Sequence, residues 1–474
     1  MMHPRAPRRT EPAVRRRSPA LPAAGLAFLF ALSFLFALAA GRAAAEVREI
    51  GQLVLDGIPE IPQRIIDRTN QYQNVRTATL ADWAPDGGLL IRTRFGEADQ
   101  IHHVASPGAA RRQLTFCQEP VSAGSFGKSP DWLLFNRDQG GNEAEQIFRL
   151  DLRTGRETLL TDGEHQNGAP VWSNARDRVA FRSTARNGTD HDVWVMDPLR
   201  PEERRIALEA QGYWSPEDWS PDDRRLIVSN FVSITESYFW VLDVATGAKT
   251  PIARHEPVDG ETIFYNGAAF DASGEGVFFV SDEGSEFWTL RWTRLGSDRV
   301  ETITGHIPWS VTLIRMSPDR STLAFTVNDN GRDRLYLMDA RSRKIRDAEV
   351  PLGLIEQLRF SPDGKTLALQ LESPAAPTDA YTLDVKSREL TRWTRSEVGG
   401  LDPDTFVLPE IVMVPTFDRD ESGERRMIPA HVYKPKGEGP FPVVIRIHGG
   451  PESQSRMWFS YTSQAEVAEL GCAV

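Results

Sequence analysis

Three observations predict a mainly β protein, a seven-bladed β-propeller followed by the start of a second domain of α/β type. A Ser-Pro-Asp-Gly turn at residue 361 recurs through the middle of the chain as Ser-Pro-Asp-Arg at 317, Ser-Pro-Asp-Asp at 220 and Ala-Pro-Asp-Gly at 84, with Ser-Pro-Asp-Trp at 129 and the sequences at 173 and 271 as degraded copies. Successive copies lie 44 to 51 residues apart, the spacing of propeller blades and not of helical repeats. Each copy is embedded in the same order of short apolar runs and turns, and that order stops after Trp393, where a different pattern begins.

The first residues stand apart from the rest. The basic stretch RAPRRTEPAVRRRSPA precedes LPAAGLAFLFALSFLFALAAGRAAAE, an apolar run ending in small residues, with Ala43 and Ala45 placed for cleavage before Glu46. Residues 1–45 therefore read as an export signal, with an uncleaved membrane anchor as the alternative because residues 21–40 nearly span a bilayer. The expected location is periplasmic or extracellular, or anchored with the bulk outside the cytoplasm. Residues 46–77 follow as an amino-terminal strap.

Without residues 1–45 the chain carries 48 basic and 65 acidic side chains, a net charge of −17. That sign disfavours nucleic acid and anionic lipid as partners, so a membrane partner is expected only if the signal stays uncleaved. The two cysteines, Cys117 and Cys472, are far apart in sequence and read as unpaired thiols, and the nine His form no metal-ligand pattern. No metal and no cofactor is expected.

Within residues 78–395 each repeat supplies four strands. A short strand enters the Ser-Pro-Asp turn and a second, such as TLAFTV or RLIVSN, leaves it. A polar loop leads to a third, such as RLYLMD or FWVLDV, and a Thr-Gly or Ser-Arg turn to the last. Units beginning near Ala78, Ser122, Gly168, Tyr213, Ile263, Ser310 and Leu354 make seven, within a range of six to eight. The alternating connections put the Ser-Pro-Asp and Thr-Gly turns on one face of the disc. The longer, more varied middle loops lie on the other face, where binding usually resides.

Residues 396–404 read as a linker, and residues 405–474 bring new strands: EIVMVPTF, RRMIPAHVYKP and PFPVVIRIHGG. The last is a continuous apolar run, as expected of a strand buried on both faces, and SQAEVAELG after it fits a helix closed by Gly471. Strand, His-Gly-Gly, helix, strand is the opening of an α/β-hydrolase domain, in which amides of this loop help form an oxyanion hole. Glycine suits the role because no Cβ obstructs an N–H aimed at the oxyanion.

Together, DWAPDGG, TRFGEADQIH, RQLTF, RDQGGNEAEQIFRLDLRTG and HGGPESQSR resemble the prolyl oligopeptidase family, especially its acylaminoacyl-peptidase-like members. HGGPE is the specific part, because Ser-Pro-Asp repeats also occur in non-catalytic TolB-type propellers. The resemblance implies a serine hydrolase of short peptides, working through an acyl-enzyme, with the propeller restricting access. It implies backbone N–H donors at Gly449 or Gly450, the latter preferred, with His448 and Pro451 supporting the loop.

No triad residue can be assigned. AGSFG at 123–127 imitates a nucleophile elbow around Ser125 but sits inside the second repeat, and His431 and His448 precede any nucleophile, the wrong chain order for this fold. The chain is thus expected to be an amino-terminal fragment with a truncated hydrolase domain, inactive by itself. A periplasmic binding propeller with a remnant tail is the alternative, and an esterase using the same opening is a third reading. Oligomeric state is open.

Overall fold

The computed structural model describes residues 47–168, 170–419, 422–450 and 453–474. The expected export signal, residues 1–45, lies outside them. The described residues fall into two units, dividing between Ile66 and Asp67. In the first, strands Arg48–Ile50 and Leu53–Leu55 pair as a hairpin that turns at Gly51, where φ is +60°.

The second unit contains seven four-stranded antiparallel sheets, each built from consecutive strands in the order in which they occur in the chain. The innermost strands are Thr79–Trp83, Ala123–Phe126, Val171–Trp172, Tyr213–Trp219, Tyr265–Phe270, Val311–Met316 and Leu354–Phe360. We number the blades 1 to 7 in this order. Seven blades were expected, and the inner strands begin within three residues of the expected positions.

Second strands are the most apolar because neighbouring blades stack face to face and bury both sides of them. Gly276–Ser281 in blade 5 is buried at every position. The core is accordingly distributed between blades, as where Leu337 of blade 6 packs in one cluster with Leu358 and Leu369 of blade 7. Outer hairpins repeat a single device. Asp151 Oδ1 accepts from both N and Oγ1 of Thr154 at 2.7 Å, and Asp243, Asp339 and Asp384 do the same for Thr246, Ser342 and Ser387.

Six of the seven turns hold a left-handed residue at their fourth position, the turn of blade 2 with Trp132 being the exception, and Gly87, Gly274 and Gly364 supply it in blades 1, 5 and 7. In blades 3, 4 and 6 the position holds Arg176, Asp223 and Arg320, with φ of +52°, +55° and +56°. Such φ values are uncommon for residues with a side chain. Each of these three reaches into another blade. Arg176 donates to Asp82 of blade 1 at 3.0 Å and to Phe126 O of blade 2 at 2.7 Å. Arg320 donates to Asp218 of blade 4 at 2.8 Å, to Phe270 O of blade 5 at 2.8 Å and to Asn174 of blade 3 at 3.2 Å. Asp223 accepts from Asn174 N at 2.7 Å.

No strand is shared between blades 1 and 7. The seam between them is held by a two-residue ladder, Val75–Arg76 with Glu397–Val398, and by side chains. Trp83 lies edge-on to Trp393 with ring centroids 6.3 Å apart and donates from Nε1 to Arg359 O at 2.8 Å.

After the seventh blade, strands Glu410–Arg419 and Arg425–Val432 form an antiparallel pair. The apolar run expected as a doubly buried strand forms only one parallel bridge, Val443 with Ala473, flanked by Val444 N to Ala473 O and Ala473 N to Pro442 O at 2.8 Å each. Val443, Ile445 and Ile447 are 68%, 80% and 87% exposed. Burial on both faces requires a neighbouring strand and covering helices, which these side chains lack among the described residues. Helix α1, Gln63–Gln73, and helix α2, Tyr461–Glu469, are the described α-helices, and neither is long and apolar enough to cross a membrane. Ser460 caps α2 by accepting from Ser463 N, and Gly471 beyond its end has φ +63°.

Candidate functional site

Two features qualify, a loop on the middle-loop face of the disc and a cavity along its axis. The loop follows the apolar run. His448, Gly449 and Gly450 are exposed, Gly450 has φ +69°, and a Cβ at Gly449 or Gly450 would meet nothing within 4 Å. Pro451, the other residue expected to support the loop, lies outside the described residues. The backbone of Gly449 and Gly450 is therefore exposed, with free space at each Cβ position for a bound group to approach. The run and Ala473 are joined by that single parallel bridge, with the loop and α2 between them in the chain.

From Gln454 onward the chain is fastened to blades 6 and 7. Gln454 Oε1 accepts from Asn328 at 2.7 Å, and Met457 N donates to Gly331 O at 2.9 Å. Arg456 reaches Asp333 at 2.5 Å, and Phe459 N donates to Glu372 at 3.1 Å. Asn330 and Gly331 form a tight hairpin tip with φ of +54° and +88°. His431 Nε2 lies 3.1 Å from Asn330 O, and a Cβ on Gly331 would stand 2.7 Å from the His431 ring. His431 is therefore part of the docking contact. Burial pushes the Glu372 carboxyl up to about 7, opposed by the Phe459 N–H and reinforced by Glu356. Arg68 and Tyr72 of α1 both donate to Glu469 of α2, at 2.7 and 2.9 Å.

The inner strands of all seven blades enclose a cavity of about 1200 Å³. Ser125 lies in its wall, within an inner strand, accepting from Trp172 Nε1 at 2.8 Å. It is not at an elbow between strand and helix. Five basic and three acidic side chains line the cavity, in a chain of net charge −11. Asp82, Asp218, Arg315 and Arg359 each stand two residues before the Ser or Ala of their turn, so the repeat brings them to one level. The sequence reading missed this ring, although aligning the seven repeats on their turns displays it.

The fold is that of a seven-bladed propeller carrying a β-hairpin and a helical segment on its middle-loop face. No family model matches the sequence. Among curated proteins, the uncharacterised protein Atu1656 of Agrobacterium fabrum is 28% identical over 149 residues, 31% of this chain and 49% of that one. Solved structures with this fold include a prolyl endopeptidase, with a TM-score of 0.69 at 12% identity over 95% of this chain and 66% of that chain. A puromycin-hydrolysing peptidase of Mycobacterium tuberculosis gives 0.68 at 16% identity over 86% and 66%. The chain thus spans about two thirds of the length of these structures and about half of the curated relative.

Proposed function

We propose that the chain is the propeller and the first part of the hydrolase domain of an exported serine peptidase of the prolyl oligopeptidase family, acting on short peptides through an acyl-enzyme. The observation that carries this reading is the position of the His-Gly-Gly loop, ahead of a helix fastened to the middle-loop face of a propeller whose fold is shared with two peptidases. A pure binding propeller has no use for such a loop.

In this reading Gly450 N–H, with Gly449 as the alternative, donates to the oxyanion that forms when an acyl carbonyl is attacked. One such donor contributes about 3 kcal/mol to the transition state. The nucleophile, its base and the acid that orients the base are supplied by residues outside this sequence. The exposed side chains of Val443, Ile445 and Ile447 fit a sheet that continues beyond the described strands. The 474-residue chain alone is then inactive. Residues 1–45 direct export, to the periplasm or the exterior, or remain as an anchor.

The test has two arms. The chain as it stands is treated with a fluorophosphonate probe, and stoichiometric labelling sinks the claim of inactivity. The reading frame continued past Val474 is then expressed and assayed on short chromogenic peptides. Failure to find a probe-reactive Gly-x-Ser-x-Gly serine there leaves the binding propeller as the better reading.

A further inference from the structure

The ring of charges in the cavity is unevenly satisfied. Asp82 is taken by Arg176, and Asp218 by Arg320, both from turns of other blades. Arg315 and Arg359, at the same level on blades 6 and 7, have no carboxylate within ion-pair distance among the described residues. Their donors converge instead on one carbonyl oxygen: Arg315 Nε lies 3.2 Å and Arg359 Nη1 3.0 Å from Leu358 O. Two guanidinium groups are therefore held side by side in the cavity wall with most of their N–H groups unused.

Such an arrangement is costly unless an anion completes it. Burial, with repulsion from Arg315 and Arg176, pushes Arg359 down to about 9, and burial lowers Arg315 despite Asp218, Glu217 and Asp82 nearby. Glu217, the remaining acid of the cavity wall, is itself pushed up by burial and is not ion-paired with either arginine. The two arginines are sited where a planar, two-oxygen group bridges both forks.

We propose that Arg315 and Arg359 form a carboxylate-binding subsite that anchors a short peptide inside the propeller. The subsite deepens the peptidase reading and rests on it for the peptide, though not for the anion. It lies at the turn-face end of the inner strands, whereas the His-Gly-Gly loop is fastened at the middle-loop end. A peptide held by its C-terminal carboxylate extends its amino-terminal part toward that loop. The cavity exceeds the roughly 300–1,000 Å³ of small-molecule pockets, which suits a peptide segment. Arg176 and Arg320 serve the subsite indirectly, by occupying the carboxylates that would otherwise neutralise it.

Isothermal titration of the intact chain with N-acetyl-tetra-alanine, its C-terminal amide, and an amide carrying one internal Glu tests the idea. The free acid is expected to bind at least tenfold more tightly than the plain amide, and Arg315→Met and Arg359→Met are expected to abolish the difference. Binding of the Glu-containing amide at the strength of the free acid assigns the subsite to any carboxylate, and binding of the free acid alone assigns it to the C-terminus. Equal binding of acid and amide overturns the subsite and leaves the peptidase reading standing. If no peptide binds but acetate, against chloride at equal ionic strength, raises the Tm of the wild type and not of the variants, the anion site stands and the peptide reading falls. Absence of any acetate effect in that case overturns the site. Both variants should melt at or above the wild-type temperature, since each removes an uncompensated cation. A lower Tm in both would identify a structural role and overturn the proposal.

Discussion

Arg456 Nη2 lies 2.5 Å from Asp333 Oδ1, joining the chain just after the His-Gly-Gly loop to the hairpin of blade 6. The Asp333 side chain is 2% exposed and its second oxygen accepts from Ile355 N at 2.8 Å, so one carboxylate ties the loop to two blades. Burial pushes this carboxyl up, and Arg456 is the largest opposing influence. Replacing Arg456 with Met leaves a buried acid without its cation, which costs about 3 kcal/mol. Amide hydrogen exchange should accelerate across residues 453–474 while the blades keep their protection. Unchanged exchange in that stretch would show that the pair does not hold the loop.

Glu372 makes the same docking contact dependent on pH. Its folded pKa, about 7, lies above the ordinary value of 4.5, so the folded state holds its proton more tightly than the unfolded state does. The resulting stabilisation is complete below about pH 4.5 and disappears as pH rises through 7. Glu372→Gln should flatten the stability profile between these limits and exceed the wild type in stability at pH 8. Thermal melts at half-unit intervals check the sign.

Arg320 combines an unfavourable backbone conformation with a favourable ion pair, and the balance can be measured. Arg320→Gly relieves about 1 kcal/mol of left-handed strain but strands Asp218, a loss of about 3–5 kcal/mol. A net destabilisation of about 2–4 kcal/mol is expected in urea unfolding, with substantial recovery in Arg320→Gly combined with Asp218→Asn. A stabilised single variant would mean that strain outweighs the bridge between blades.

The seam between blades 1 and 7 depends on Trp83, which is 7% exposed against Trp393. Trp83→Ala removes that packing and the Nε1 hydrogen bond to Arg359 O, for an expected loss of about 3–5 kcal/mol. Trp219, fully buried between blades 3 and 4, is the control for a tryptophan away from the seam. Trp83→Ala alone is expected to raise hydrogen exchange at Val75–Arg76 and Glu397–Val398, the ladder across the seam.

The blades were legible in the sequence because a four-stranded antiparallel unit is a local object. Its strands are consecutive, and its turns carry their own chemistry, such as Asp339 with Ser342 or Ser317 with Asp319. Period and turn residues therefore determine blade number and the start of each inner strand. Helix α2 was legible for the same reason, its end marked by Gly471. Long-range relations were not. Arg176 and Arg320 stand where other repeats carry glycine, and only closure of the ring shows that their side chains link blades far apart in sequence. The run from Val443 to Ile447 reads as a buried strand, yet its burial is decided by neighbours and not by its own hydrophobicity. Arg315 and Arg359 are 44 residues apart and unremarkable in isolation. They become a site because seven inner strands converge on one axis, setting equal positions of each repeat at one level where charges must find partners or a ligand.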